Sequence, residues 1–402
     1  MKKQILFITM LAIIGLRTNA QTAYVANSNA GTVSVINVAT NTVTNTITVG
    51  SWPEGVSVSP DGSKVYLTNN DNKVSVINTA TNAITNSITV GSSAYGVSVN
   101  PDGSRVYVAN KASNTVSVIN TSTNTVVATI PVDANPDGVS VSPDGSKVYI
   151  ANEGASTISV IDAATNSVSA TITVGDEPVG ISVSPDGSTI YVANYTLSGT
   201  VGVINATTNT LTTSITVGNE PYGTAISPDG SKVYVANSSS NTVSVINTAS
   251  NTVSATISVG SGPFGISVSP DGSKVYVPNM NGASVSVINA ITNTVSATIS
   301  VGYGPVAFGN FISTHPSIVG IPSRSIVSAT NDIYPNPAKD NLTVESLQKA
   351  TIEILNIQGQ TIQQQLIQQG QTDIDISGLA KGIYILRLSN NDKTEVTKFV
   401  KE

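Results

Sequence analysis

A unit of about 42 residues, repeated along most of the chain, restricts the possible folds more than any other feature of this sequence. Its turn glycines are Gly62, Gly103, Gly145, Gly187, Gly230 and Gly272, spaced 41, 42, 42, 43 and 42 residues apart. Residues 138–152, GVSVSPDGSKVYIAN, display the best-defined part of the unit. Val139 and Val141 alternate with Ser140 and Ser142, the period-two pattern of a strand. In Ser142-Pro143-Asp144-Gly145 the proline presets φ, the aspartate bonds its own backbone, and the glycine takes positive φ without a Cβ penalty. Val148-Tyr149-Ile150 then supplies the β-branched and aromatic residues of a second strand.

Each unit carries four strand signals, which in one copy span residues 138–142, 147–151, 157–161 and 168–174. Four strands at a period of roughly 40–50 residues predict a β-propeller blade. The second strand recurs seven times, marked by Tyr24, Tyr66, Tyr107, Tyr149, Tyr191, Tyr234 and Tyr276. The array starts at a second strand and stops at a first strand, residues 305–312 (PVAFGNFI). That last strand therefore completes a blade begun by three N-terminal strands, which closes a ring and removes an exposed sheet edge. An open solenoid needs atypical capping repeats instead. The expectation is an all-β chain with a seven-bladed β-propeller over residues 21–312. Blades cover one another's faces, which explains why Ser and Thr alternate with Val in place of Lys and Glu. The repeated tyrosines then read as packing residues.

The strand Tyr24-Val25-Ala26-Asn27 and its copies at 107–110 and 234–237, the strand TVSVIN at 242–247, and the SPDGSK turn resemble the YVTN family of β-propeller repeats. The resemblance covers residues 22–312. It implies the propeller fold and a bacterial or archaeal surface context. The wider propeller group includes lactonases and dehydrogenases, so it implies no single activity.

The two ends read differently. Residues 1–20 have the layout of a secretory signal: Lys2 and Lys3, an apolar core over 5–16, and small residues before Gln21. No later apolar run reaches the length of a membrane span, so no transmembrane segment is expected in the mature protein. Residues 313–332 lack a period and read as a linker; residues 333–402 show six strand signals and predict a small Ig-like β-sandwich. Ile333-Tyr334-Pro335-Asn336-Pro337-Ala338, Gly359, the stretch around Gly382 and Tyr384, and the basic ending Lys398-Phe399-Val400-Lys401 resemble the type A C-terminal sorting domain of the type IX secretion system of Bacteroidetes. This implies the type IX machinery as partner, Sec-dependent export, removal of the tail, and release or display at the cell surface.

Composition excludes several function classes. The net charge of −6, with 7 Lys and Arg against 15 Asp and Glu in residues 21–312, argues against a nucleic-acid partner. The absence of cysteine and of any histidine in the repeats excludes thiol nucleophiles, Cys-ligated clusters and a Ser-His-Asp triad there, and no cofactor is implied. What differs between repeats is the loop entering each first strand, at one mouth of the channel. Trp52, Glu54, Tyr95, Asp137, Tyr222 and Phe264 stand there as candidate ligand-binding residues, with Glu220 and Tyr303 beside them. Aromatic faces beside carboxylates suit a glycan or protein ligand, and equally suit a plug packed into the mouth. Trp52 precedes Pro53 and is expected to be extended. Glu54, Asp137 and Glu220 leave open an acid/base pair or a Ca²⁺ site, with no catalytic or metal residue assigned. The function expected is a non-catalytic binding, adhesion or structural scaffold. The alternative is a carboxylate-based lactonase-like hydrolase or lyase.

Overall fold

The strand signals of each repeat become one antiparallel sheet. The structure, a computed structural model, describes residues 21–313, 333–334, 337–346, 349–356, 361–389 and 394–402, in two units divided at 321/322. The expected signal peptide lies outside the described residues, as does the expected linker apart from its first residue, Ser313, which is buried against the first sheet. Six four-stranded sheets run from Pro53–Val58, Lys64–Asn69, Lys73–Asn78 and Ala83–Thr89 to Ser267–Val268, Lys274–Asn279, Ser284–Asn289 and Thr294–Ser300. A three-stranded sheet of Thr22–Asn27, Thr32–Asn37 and Thr42–Thr48 precedes them.

Residues 305–312 complete that first sheet. Ala23 bridges Ile312 and Asn27 bridges Pro305, both antiparallel. Tyr24 N donates to Phe311 O at 2.9 Å, Val306 N to Ala26 O at 2.9 Å and Ser313 N to Thr22 O at 2.9 Å. The composite sheet is blade 1, and the others follow as blades 2 to 7. The ring also closes at its periphery, where Lys274 Nζ and Tyr276 Oη of blade 7 donate to Val38 O of blade 1 at 2.6 and 3.1 Å.

Two repeated residues explain the blade's interior. The asparagine ending each second strand is buried, and its amide holds the third strand: Asn152 Nδ2 donates to Thr157 Oγ1 at 3.1 Å and to Ser159 Oγ at 2.9 Å. The Thr and Ser of TVS are thus the partners of a buried amide, which would otherwise be costly to desolvate. The glycine that six of the seven first strands carry, with Ala307 at its place in blade 1, is a point of backbone contact between blades. A Cβ on Gly138 would lie 2.1 Å from Val179 O of the next blade, and one on Gly96 2.1 Å from Asp137 O. Gly138→Ala is therefore expected to cost about 3 kcal/mol, because the clash is with backbone that cannot rotate away. Chemical denaturation of the purified protein measures it; an unchanged midpoint contradicts the backbone contact.

The SPDG segment forms the turn its residues dictate. Ser142 Oγ donates to Asp144 Oδ1 at 2.5 Å, Ser146 N to the same oxygen at 3.0 Å, and Gly145 sits at φ 72°. These bonds hold the Asp144 carboxyl at about 2, below its ordinary value.

The second unit is a two-sheet sandwich. One sheet has the order Ile333–Tyr334, Asn341–Ser346, Gly370–Asp375, and the other Thr361–Ile367, Ala350–Leu355, Gly382–Ser389, Thr394–Lys401. Leu342, Val344, Ile352, Ile374, Leu386 and Phe399 from both sheets share one core. Of the expected sorting motif, Tyr334 pairs with Thr343, Gly382 with Lys401, and Tyr384 stacks on Phe399 at 5.7 Å. Pro337 lies next to Ala338, which bridges Lys401, so the motif's opening is tied to the strand that ends the chain. Pro335, Asn336 and Gly359 lie outside the described residues.

Candidate functional site

The loops that enter the first strands share one backbone device. The residue two positions before each mouth residue is left-handed in all seven blades: Trp52, Ser93, Asn135, Glu177, Glu220, Gly262 and Gly304 have φ between 49° and 70°. Each carbonyl then accepts from the amide that follows a second-strand asparagine, as Asn70 N does to Trp52 O at 3.1 Å and Lys111 N to Ser93 O at 2.8 Å. This corrects the expectation of an extended Trp52. The turn's hydrogen bond outweighs the local preference of a residue before proline. A left-handed tryptophan costs about 1–2 kcal/mol, and burying nearly half of its surface offsets that by a similar amount.

The glycine contacts fix the backbones of the mouth residues, and their side chains then converge on the axis. Tyr222 stacks on Phe264 with centroids 3.8 Å apart and meets Phe308 and Tyr195 edge-on at 5.5 Å each. Tyr95 tilts against Phe308 at 6.3 Å. Tyr222 is only 6% exposed and Phe308 likewise, so these rings cap the channel. Beneath them lies a space of about 30 Å³ lined by Val97, Val139, Ile181, Thr224, Ile266 and Phe308, room for about one water.

A charge network is built into the cap. Tyr222 Oη donates to Tyr95 Oη at 3.0 Å and lies 3.3 Å from Asp137 Oδ2. Lys111 Nζ bridges Asp137 at 2.7 Å and Glu153 at 2.5 Å, and stands 4.9 Å over the Tyr95 ring. Asp137 is fully buried; burial pushes its carboxyl up to about 6, against the pull of Lys111. Burial pushes Glu54 up to about 7, with the bond from Ser28 Oγ at 3.1 Å pulling down and Asp137 pushing further up. Burial pulls Lys111 down, but Asp137 and Glu153 outweigh it and raise its pKa.

The six candidates therefore separate. Glu54, Asp137 and Tyr222 are buried, Tyr95 and Phe264 are partly buried, and Trp52 is 54% exposed. Glu220 does not join Glu54 and Asp137: its carboxylate takes bonds from Tyr195 Oη at 3.2 Å and from Ser239 Oγ. Among the described residues no group of three or more His, Cys, Asp or Glu is placed to hold a metal ion. Lys111 and Glu153 belong to the cluster and were not among the expected residues. Their signal lay in the position after the second-strand asparagine, which varies as Ser28, Asn70, Lys111, Glu153, Tyr195, Ser238 and Met280.

The raised carboxyls predict a pH profile. An acid with a raised folded pKa binds more protons folded than unfolded. Its stabilising contribution is fullest below the unfolded value and is lost as pH rises through the folded one, about 6 for Asp137 and about 7 for Glu54. Turn aspartates such as Asp144 act oppositely, losing their contribution as pH falls from the ordinary value towards about 2. Melting temperature is therefore expected to peak on the mildly acidic side and to fall towards pH 8. Glu54→Gln should flatten that fall. Calorimetry across this range checks it, and a wild-type profile rising from pH 5 to 8 contradicts it.

These features define a seven-bladed propeller with a capped channel, followed in the chain by a separate β-sandwich. The chain belongs to the YNCE-like beta-propeller family, whose model matches residues 83–186 and 181–284. Residues 332–402 match the secretion system C-terminal sorting domain, the type IX sorting tail. Among solved structures, the chain is similar to Kuenenia stuttgartiensis hydrazine synthase, with 24% identity and a TM-score of 0.61 over 67% of this chain and 92% of that one. It is also similar to a functionally unknown protein from Desulfotomaculum acetoxidans DSM 771, with 20% identity and a TM-score of 0.63 over 72% of this chain and 100% of that one. At these identities the likeness shows the fold alone. No curated protein matches the sequence. No helix among the described residues is long and apolar enough to cross a membrane.

Proposed function

We propose that the protein is a non-catalytic binding or adhesion scaffold presented at the cell surface or released. In this reading residues 1–20 are a removed signal peptide, 21–312 the ligand-binding propeller, 313–332 the linker and 333–402 the sorting unit. The capped mouth carries the proposal. Tyr222, Phe264 and Phe308 cover the axis, Asp137 is paired with Lys111, and Glu54 is buried against Ser28. What remains on this rim for a ligand is exposed aromatic surface: Trp52 at 54% and Tyr303 at 64%, on the entry loops of neighbouring blades 2 and 1. Aromatic rings of this kind are common binding anchors.

A glycan and peptide array screen of the full chain tests the reading. Trp52→Ala is expected to weaken the selected ligand by about thirtyfold, the loss of roughly 2 kcal/mol typical of an anchor. The lone tryptophan reports directly, so its emission should change on binding. Tyr222→Ala is a different kind of change: it opens a cavity in the cap and should cost about 3 kcal/mol of stability. A ligand that leaves Trp52 emission unchanged and binds Trp52→Ala normally contradicts the rim site. The raised Glu54 carboxyl is the one feature favouring the hydrolase or lyase reading. Lactone turnover lost in Glu54→Gln would establish that reading instead.

A further inference from the structure

The cap closes the channel at one mouth only. On the opposite face, where the SPDG turns lie, the channel is a cavity of about 420 Å³ bordered by turn prolines such as Pro185, Pro228 and Pro270. Its volume falls in the range of small-molecule sites, roughly 300–1,000 Å³. Its wall is made of first-strand residues and contains Ser and Thr hydroxyls beside Val and Ile methyls, with no ionisable side chain.

Two hydroxyls distinguish this wall from ordinary blade packing. Thr224 stands where five other blades carry Val or Ile. Its Oγ1 is buried without a hydrogen-bond partner, and so is Ser182 Oγ on the neighbouring blade. Two of the equivalent serines are engaged: Ser57 Oγ accepts from Val99 N at 3.2 Å, and Ser267 Oγ donates to Asn310 Oδ1 at 3.4 Å. An unpaired buried hydroxyl costs about 1–3 kcal/mol, which a ligand group can recover once either half-buried side chain rotates its hydroxyl into the cavity. Blade 1 also departs from the repeat here, with Gly309 at φ 117° and an exposed Asn310 on the cavity wall.

We propose that this blind cavity is a binding site for a neutral saccharide unit. Hydroxyls that both donate and accept match sugar hydroxyls, and the Val and Ile methyls match the C–H faces of a pyranose. The uncharged wall offers nothing to an anion or cation. The capped floor admits the end of a glycan and prevents an extended chain from threading through. The site is independent of the aromatic rim on the opposite mouth.

The test is calorimetry and saturation-transfer NMR on the full chain with maltose, cellobiose and diacetylchitobiose. Sialic acid and glucosamine serve as charged controls. At least one neutral disaccharide is expected to bind, and the charged sugars to bind more weakly. Thr224→Val and Ser182→Ala should each weaken it by about fivefold or more, the worth of one hydrogen bond. Thr224→Ser should retain binding, and Trp52→Ala should leave it unchanged. The proposal is overturned if none of the three disaccharides binds, if both hydroxyl-removing variants bind like the native protein while folded, or if Trp52→Ala abolishes binding.

Discussion

Deletion of residues 305–312 is expected to abolish the cooperative melting of the propeller. The segment supplies the first strand of blade 1 and bonds to Tyr24 and Ala26 through backbone groups. It also buries Val306, Phe308, Phe311 and Ile312, at 1%, 6%, 0% and 1% exposure. Four such side chains contribute about 6–12 kcal/mol of burial, which is comparable to the whole net stability of a typical domain, about 5–15 kcal/mol. Losing them also uncovers two sheet edges and breaks the parallel bridge from Phe308 to Gly55 of blade 2. Circular dichroism melts and limited proteolysis of the truncated and intact proteins measure the effect. A truncated protein that melts at the native temperature contradicts a ring that depends on this strand.

Removal of residues 333–402 is expected to eliminate the protein from the cell exterior and leave the propeller in the periplasm. The basis is the match of residues 332–402 to the sorting domain, with its own core separate from that of the blades. A point change should act like the deletion. Phe399 is fully buried and stacks on Tyr384, and Phe399→Asp places an unpaired charge in that core, at a cost of several kcal/mol. Fractionation with an antibody to the propeller distinguishes the outcomes. Equal amounts of intact and truncated protein outside the cell would remove the tail's role in export.

The blade architecture was legible because its determinants are local and repeated. The Pro-Asp-Gly turns, the tyrosine strands and the half-repeats at 22–27 and 305–312 each state a conformation or a pairing in a few residues. The site was legible only as a list of non-repeated positions. Asp137 and Tyr222 come from blades 85 residues apart, and nothing in either loop indicates that one meets the other within the cap. Trp52 was misread because the local rule before proline ignores the carbonyl bond to Asn70 that fixes the turn. Lys111 was missed because a single lysine in a polar loop resembles a solvated one; its two carboxylate partners arrive from the next blade. The cavity on the turn face was concealed by repetition itself, since the unpaired Ser182 has the same sequence context as the bonded Ser57.

The join between Thr22 and Ser313 has a consequence in time. It links positions 291 residues apart, so no chain that has yet to expose residue 313 can make it. Such distant pairings form late and slowly. Until residue 313 is available, the early blades lack their final partner and remain an unclosed array, a state suited to passage in extended form. The sorting domain comes only after that point in the chain. A product interrupted before residue 305 therefore lacks both the strand that completes the ring and the sorting domain. The order of segments means that only a chain read past its own closure carries the sorting domain.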